Sequence, residues 1–286
     1  MDKPVQLNRR TFLTHMGKGA VAVAILGPTV LACSDSGSDT AATSTATTST
    51  SSTGPAATAA PSTLPATTVS PATTTSPSDQ TTTTAESADA AGRWERVELG
   101  GVSAYVLARA GRAAVVDTGR SGSESSIEEV LIALDLGWDA VDHVVLTHLH
   151  GDHIGSLGPV MAAATGAAAY AGAADIGAMG ASPRPVGTVG DGDSVFGLNI
   201  IETPGHTAGH ICVHDPLGGV LVAGDALNGS NGGVAGANPS FTPDMAAANE
   251  SVKKLATLQF DIAFFGHGEP VVGSADMQVA DLAATL

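Results

Sequence analysis

The chain has 286 residues, enough for a sizeable hydrophobic core, and carries 12 Lys and Arg against 28 Asp and Glu, a formal net charge of −16. That acidic balance argues against a nucleic-acid partner, because gripping a phosphate backbone needs basic patches; it gives solubility rather than a partner. The two cysteines, Cys33 and Cys212, lie far apart and one sits in the leader, so a disulfide framework within the folded part is excluded.

Residues 1–33 read as an export signal. Asn8-Arg9-Arg10-Thr11-Phe12-Leu13 is a twin-arginine run, and an apolar stretch from Gly19 to Ala32 follows, broken by Gly27 and Pro28. Its 14 residues are too few to span a bilayer and suit a signal h-region. The run resembles a Tat export signal. Val30-Leu31-Ala32-Cys33 resembles a bacterial lipobox, which makes Cys33 the expected lipidation site. The membrane then enters only as the seat of an N-terminal lipid anchor, with the protein on the outer face of the cytoplasmic membrane; without lipidation it would be periplasmic or extracellular.

Residues 34–91 are almost wholly Ser, Thr, Ala, Gly and Pro, and neither Lys nor Arg occurs between Lys18 and Arg93. Such a segment buries too little apolar surface to offset its chain entropy, so it is expected to be a disordered tether. As a flexible coil it spans about 40 Å.

Residues 92–286 have the length of one domain. Val102 to Arg109 and Ala113 to Val116 are β-rich, and the loop Asp117-Thr118-Gly119 follows. Glu124 to Leu136 places Ile127, Val130, Leu131 and Leu134 on one helical face. Val141 to Thr147 reads as a strand, and a helix is expected from near Ile154 through Met161. Ser194 to Glu202 reads as one strand. Ile211 to His214 and Val220 to Ala223 read as a hairpin. Asp244 to Leu258 is helical, Ile262 to Phe265 a strand, and Val279 to Leu286 a closing helix. Cys212, within an apolar strand, reads as a small buried hydrophobe.

Chemistry gathers at the strand ends. Thr147-His148-Leu149-His150-Gly151-Asp152-His153 is an H-x-H-x-D-H run. His206 follows Pro204-Gly205, Asp225 follows Gly224, and His267 follows Gly266. Five imidazoles and two carboxylates are the donor count for two adjacent divalent ions with one shared carboxylate. Loops at one edge of a rigid sheet are where convergent side chains are held. Two such ions, about 3.5–4 Å apart, pull the pKa of water between them toward about 7.

These four motifs, with Asp117 before them as the fifth, resemble the metallo-β-lactamase superfamily over essentially all of residues 92–286. The resemblance implies an α/β (α+β) fold, an αββα sandwich of two mixed sheets with helices on the outer faces. It implies that His148, His150 and His206 hold one metal, that Asp152, His153 and His267 hold the second, and that Asp225 bridges both. Asp117 would orient the site. Asp152, besides its ligand role, would relay a proton, which makes Asp152 and Asp225 the catalytic carboxylates. The His-rich set favours zinc, with iron or manganese as alternatives. His143, His210 and His214 fall outside the ligand set.

The implied activity is hydrolysis of an ester, thioester or lactone-type bond. Asp at position 225 matches the glyoxalase II, lactonase, sulfatase and nuclease branches, whereas β-lactamases of the family usually carry Cys or Ser there. The short run after His267 and the scarcity of basic residues disfavour glutathione recognition. A mononuclear-iron persulfide dioxygenase, a β-lactamase and a non-catalytic binding module are the alternatives. The run from Asn228 to Pro243 reads as a cover over the site or as a plain surface loop. Tyr170 and Phe241 are scarce aromatics that either border the pocket or, for Tyr170, pack in the core.

Overall fold

The structure is a computed structural model that describes residues 91–286; the twin-arginine run, Cys33 and positions 34–90 of the linker lie outside the described residues. Two six-stranded sheets dominate. The first runs in spatial order β1 (Arg93–Glu98), β2 (Ser103–Arg109), β3 (Arg112–Val116), β4 (Val141–Leu146), β5 (Ala168–Gly172) and β6 (Val186–Val189). β1 to β3 form an antiparallel meander, and β3 to β6 are parallel. The second sheet has the order β14 (Val271–Val272), β13 (Ile262–Phe264), β10 (Val220–Val222), β9 (Ile211–Asp215), β8 (Leu198–Glu202) and β7 (Ser194–Val195). Here only β10 and β13 pair in parallel. A separate hairpin joins β11 (Leu227–Ser230) to β12 (Gly233–Gly236).

The central strands are apolar on both faces, as sheets covered on both sides require. The pleat divides each strand between two cores. In β2, Ala104 and Val106 join one cluster with Ile127 and Leu131 of helix α1 (Glu124–Ala133). Val160 and Met161 of α3 (Leu157–Ala163) belong to the same cluster. Tyr105 and Leu107 point the other way, into an inter-sheet cluster with Leu198, Ile200, Val213, Val222 and Phe264. Leu221 and Ala263 of the second sheet meet Val252 and Leu255 of α5 (Met245–Leu255) and Val279 of α6 (Ala275–Ala283). The layers are therefore helix, sheet, sheet, helix: the αββα arrangement expected of the sequence.

Element boundaries differ from expectation where turn chemistry intervenes. The predicted helix 124–136 ends at Ala133 because Asp135 turns left-handed (φ 57). Leu136 N–H then donates to Leu131 O and Asp135 N–H to Ile132 O, the paired bonds that close a helix in this way. The strand read from 194 to 202 is two, β7 and β8. Phe196 and Gly197 both take positive φ (57 and 76) as a two-residue hairpin turn. The helix expected from Ile154 begins at Gly151 and is interrupted, giving α2 (Gly151–Ile154) and then α3. At the interruption Gly155 lies against the Arg120–Ser121 backbone, where a Cβ would clash, and the Ser156 hydroxyl donates to Arg120 O. The closing helix, expected at 279–286, spans Ala275–Ala283. The run from Asn228 is largely the β11–β12 hairpin, whose Gly229 N–H donates to His267 O (3.0 Å). Strands β1, β5 and β6 and the short helix α4 (Ala173–Ile176) were not anticipated.

Among the described residues no helix is long and apolar enough to cross a membrane.

Candidate metal centre

Strand C-termini assemble the site. Asp117 follows β3, the H-x-H-x-D-H run follows β4 and enters α2, and His206 lies in the β8–β9 turn. Asp225 follows β10, and His267 follows β13. All seven expected ligands meet there, with Asp117 beneath them.

Three donor atoms, one each from His148, His150 and His206, lie within 4.8 Å of one another, and so do those of Asp152, His153 and His267. His150 Nδ1 is 3.0 Å from His148 Nε2 and 2.9 Å from His206 Nε2. Asp225 Oδ2 is 3.4 Å from His206 Nε2 in the first set and 3.4 Å from His267 Nε2 in the second. His267 Nε2 is also 3.4 Å from Asp152 Oδ2. Ligand atoms about 2.0–2.1 Å from a tetrahedral ion stand about 3.3–3.4 Å apart. The spacings around Asp225 match that edge, and those around His150 fall a few tenths of an ångström below it.

The buried atoms without partners agree. His153 Nε2 and Asp225 Oδ1 are buried, have no hydrogen bond, and face each other at 3.4 Å. Leaving two such groups unsatisfied is costly, and a cation between them satisfies both. The residues present therefore fit divalent metal ions.

The rings are held from behind. Asp117 Oδ1 accepts Thr147 N–H (2.7 Å), and its Oδ2 accepts both the Thr147 hydroxyl and His153 Nδ1–H (each 2.8 Å). Thr147 Oγ1 is in turn 3.0 Å from His148 Nδ1. His267 Nδ1–H donates to Gly101 O at 2.6 Å, and His206 Nδ1 meets Thr242 Oγ1 at 3.2 Å. Each contact occupies the ring nitrogen that faces away from the cluster, leaving the other for a metal. Asp117 itself adopts φ 61, a left-handed conformation that Asp tolerates better than most residues.

Electrostatics follow from this crowding. Burial pushes His148 well below the ordinary histidine value, and the neighbouring imidazoles push it further. Burial likewise lowers His206. Burial opposes charge on His153 as well, but Asp117 and Asp225 outweigh it and raise that ring. Burial would raise Asp225, yet His267, His153 and His206 bring its carboxyl down to about 2. His267, hydrogen-bonded to Asp225, is raised to about 9. A carboxylate that stays charged among imidazoles is the electrostatic setting for a cation.

Backbone clearance is tight. A Cβ on Gly266 would overlap Asp225 Oδ1 and crowd His153, and one on Gly224 would meet His210 and Thr147. On the far side of the His206 turn, Gly205 (φ 135) rests on Ala248 of α5.

The three remaining histidines of the domain stand outside these donor clusters. His143 packs between Tyr170 and Phe196 at ring distances of 5.8 and 5.7 Å. Tyr170 packs against the inter-sheet core, so the core reading holds for it. His214 Nε2 bonds Gln259 O (3.1 Å). His210 is buried, which lowers it to about 3, and its Nε2 accepts Asp225 N–H at 3.1 Å. It positions the Asp225 backbone, a role its motif does not advertise. Phe241, 67% exposed, adjoins Thr242, the partner of His206. Asp175 also escaped the sequence reading: an acid in the Ala-Gly-Ala-Ala-Asp run carries no periodic or motif signal, yet it is fully buried beside the site.

Residues 97–267 match the family model of the metallo-beta-lactamase superfamily. The chain belongs to this superfamily. A hydroxyacylglutathione hydrolase of Rhizobium meliloti (strain 1021) is 33% identical over 161 residues, 51% of this chain and 58% of that protein. Thioesterase pkgB of Emericella nidulans is 26% identical over 182 residues, 62% of this chain and 48% of the relative. The chain thus spans about half the length of these curated relatives. A metallo-beta-lactamase family protein from Thermus thermophilus superposes with a TM-score of 0.54 at 24% identity, covering 68% of this chain and 78% of that one. That likeness is one of superfamily fold.

Proposed function

We propose that the protein is an exported two-metal hydrolase that opens an ester, thioester or lactone-type acyl bond in a small molecule. The observation that carries the reading is Asp225 Oδ2, equidistant at 3.4 Å from His206 of one ligand set and His267 of the other. In this reading His148, His150 and His206 would hold one ion, Asp152, His153 and His267 would hold the other, and Asp225 would serve both. A donor set of imidazoles and carboxylates without thiolate suits zinc, the first choice here, over iron or manganese. Bound there, such ions would supply a hydroxide nucleophile at neutral pH and a Lewis acid for the acyl carbonyl.

The protein's own groups set the geometry. Asp117 fixes the His153 tautomer, Thr147 relays the same carboxylate to His148, and Gly101 O turns His267. The Asp152 side chain is 33% exposed, so it can carry a proton between the site and solvent. Support for an acyl bond comes from the names of the relatives, a hydroxyacylglutathione hydrolase and a thioesterase. The Asp at position 225 favours that branch over β-lactam hydrolysis.

The test is metal analysis of the purified full chain followed by a screen of thioesters, lactones, aryl esters, phosphodiesters and a chromogenic cephalosporin, with oxygen uptake on a persulfide measured alongside. Two ions per chain and turnover of an acyl ester, thioester or lactone are expected. One iron per chain with oxygen uptake, or cephalosporin turnover alone, would replace the reading. Export is part of the proposal: Arg9→Lys with Arg10→Lys is expected to block it, and Cys33→Ser to release the protein from membranes. Normal secretion of the first variant would overturn the Tat reading.

A further inference from the structure

We propose that Asp175 is a positioning residue for one half of the metal centre, the half built from His148, His150 and His206. The inference rests on the two-metal reading above and concerns what aligns its first ligand set. Asp175 lies in α4, just past the C-terminal end of β5 and therefore on the same sheet edge as the β3 and β4 loops. Its residue is 0% exposed.

The carboxylate accepts three hydrogen bonds from two loops. Oδ2 takes Leu149 N–H (3.0 Å), from the residue between His148 and His150, together with the Thr207 hydroxyl (2.6 Å), which follows His206. Oδ1 takes Gly209 N–H at 2.7 Å. One side chain thus ties the H-x-H turn to the His206 turn, and these two segments carry all three ligands of the first set. None of its hydrogen bonds goes to Asp152, His153 or His267. Packing adds to the tie: a Cβ on Gly209 would strike the Asp175 backbone and carboxyl, so the His206 loop is seated directly on Asp175. Gly172, at the end of β5, similarly backs onto Gly209 O.

Three donors arriving at one side chain need two acceptor oxygens. A carboxylate supplies them, whereas a carboxamide supplies one oxygen and turns an NH2 toward the remaining donors. Asp175→Asn, close to isosteric, therefore breaks one end of the tie. The two turns lose their common reference, and the first ligand set loses its alignment while the second keeps its own supports from Asp117 and Gly101.

The test measures ion affinity by competition with a chromogenic chelator, using zinc and the full chain. Asp175→Asn is combined with His267→Ala, which leaves only the first set intact, and separately with His206→Ala, which leaves only the second. In the first background the substitution is expected to weaken zinc binding about 10–100-fold; in the second it should change nothing. Thermal unfolding checks that each variant is folded. If Asp175→Asn does not fold, Thr207→Val removes one of the three donors and should produce a smaller loss of the same selectivity. Equal weakening in both backgrounds would mean a general packing role, and no weakening in either would mean no positioning role; both overturn the inference. Failure of the parent chain to bind zinc would instead overturn the two-metal reading.

Discussion

Asp117 Oδ2 stands 2.8 Å from His153 Nδ1 and accepts the Thr147 hydroxyl at the same distance, so one oxygen orients a ligand ring and the residue next to His148. Charge and shape at this position separate experimentally. Asp117→Asn keeps the size and tolerates the left-handed backbone, but its single acceptor oxygen leaves His153 or Thr147 without its partner. Ion affinity is expected to fall about 10–100-fold with the fold intact. Asp117→Ala adds a backbone cost of about 1–2 kcal/mol for a φ of 61. Chelator competition reads the first effect and thermal unfolding the second; an Asn variant with unchanged affinity would show that the carboxylate does not act through the rings.

Gly266 sits behind the point where the two ligand sets meet. Gly266→Ala places a methyl group on Asp225 Oδ1 and against His153. Because the second sheet is held elsewhere by Leu221, Ala263 and Phe265, the variant should fold, yet bind fewer than two ions and lose most activity. Elemental analysis beside a thermal melt distinguishes this from global damage. Full loading would show that Asp225 has room to move aside.

What could be read from the sequence divides by physical cause. The candidate ligand motifs were legible because His and Asp at fixed intervals on strand ends are rare outside metal chemistry, and the strands read at Val141 to Thr147 and Ile211 to His214 were legible as apolar runs, observed at Val141–Leu146 and Ile211–Asp215. Strand β5, Ala168–Gly172, was not, because Ala-Ala-Tyr-Ala-Gly has small residues where strand signals call for β-branched ones; it is placed by its pairing to β4 and β6. The β7–β8 turn was hidden because Phe196 takes a left-handed conformation that only Gly197 signalled. Asp175 and Thr242 were invisible because their partners, two backbone N–H groups and the Thr207 hydroxyl for the first and the His206 ring for the second, are brought near by tertiary packing.

Cys212 is buried, and that burial pushes its thiol from 9.0 up to about 12. Its folded-state pKa lies above the unfolded one, so the stability tied to the protonated thiol is fully present below pH 9.0 and is lost as pH rises through about 12. Native protein at pH 8 is expected to resist aromatic disulfide reagents, and unfolded protein to react at once. Cys212→Ala should show a shallower loss of stability across pH 9 to 12, by the equivalent of one proton. Chemical denaturation at stepped pH checks this, and an unchanged slope would assign the alkaline loss to other groups, with the buried Tyr105 phenol, also raised by desolvation, the first candidate.

Asp225 is the residue whose loss separates a joined pair of ions from two independent ones. Its Oδ2 reaches both ligand sets, and its backbone N–H is fixed by His210 Nε2, so the carboxylate is placed from both ends. Asp225→Ala removes the negative charge that His153, His206 and His267 surround, and the ion-free site keeps only Asp152 beside His267 and Asp117 behind His153 against the crowded imidazoles. Both ions should bind more weakly, loading should fall below two per chain, and turnover should drop by several orders of magnitude. His267 supplies an internal control: the carboxylate raises its ring to about 9, so in the ion-free variant its titration, followed by NMR, should move down toward the ordinary 6.5. Full activity with two ions in Asp225→Ala would refute the bridging role, whereas a shifted His267 without loss of metal would confine Asp225 to tuning the ring.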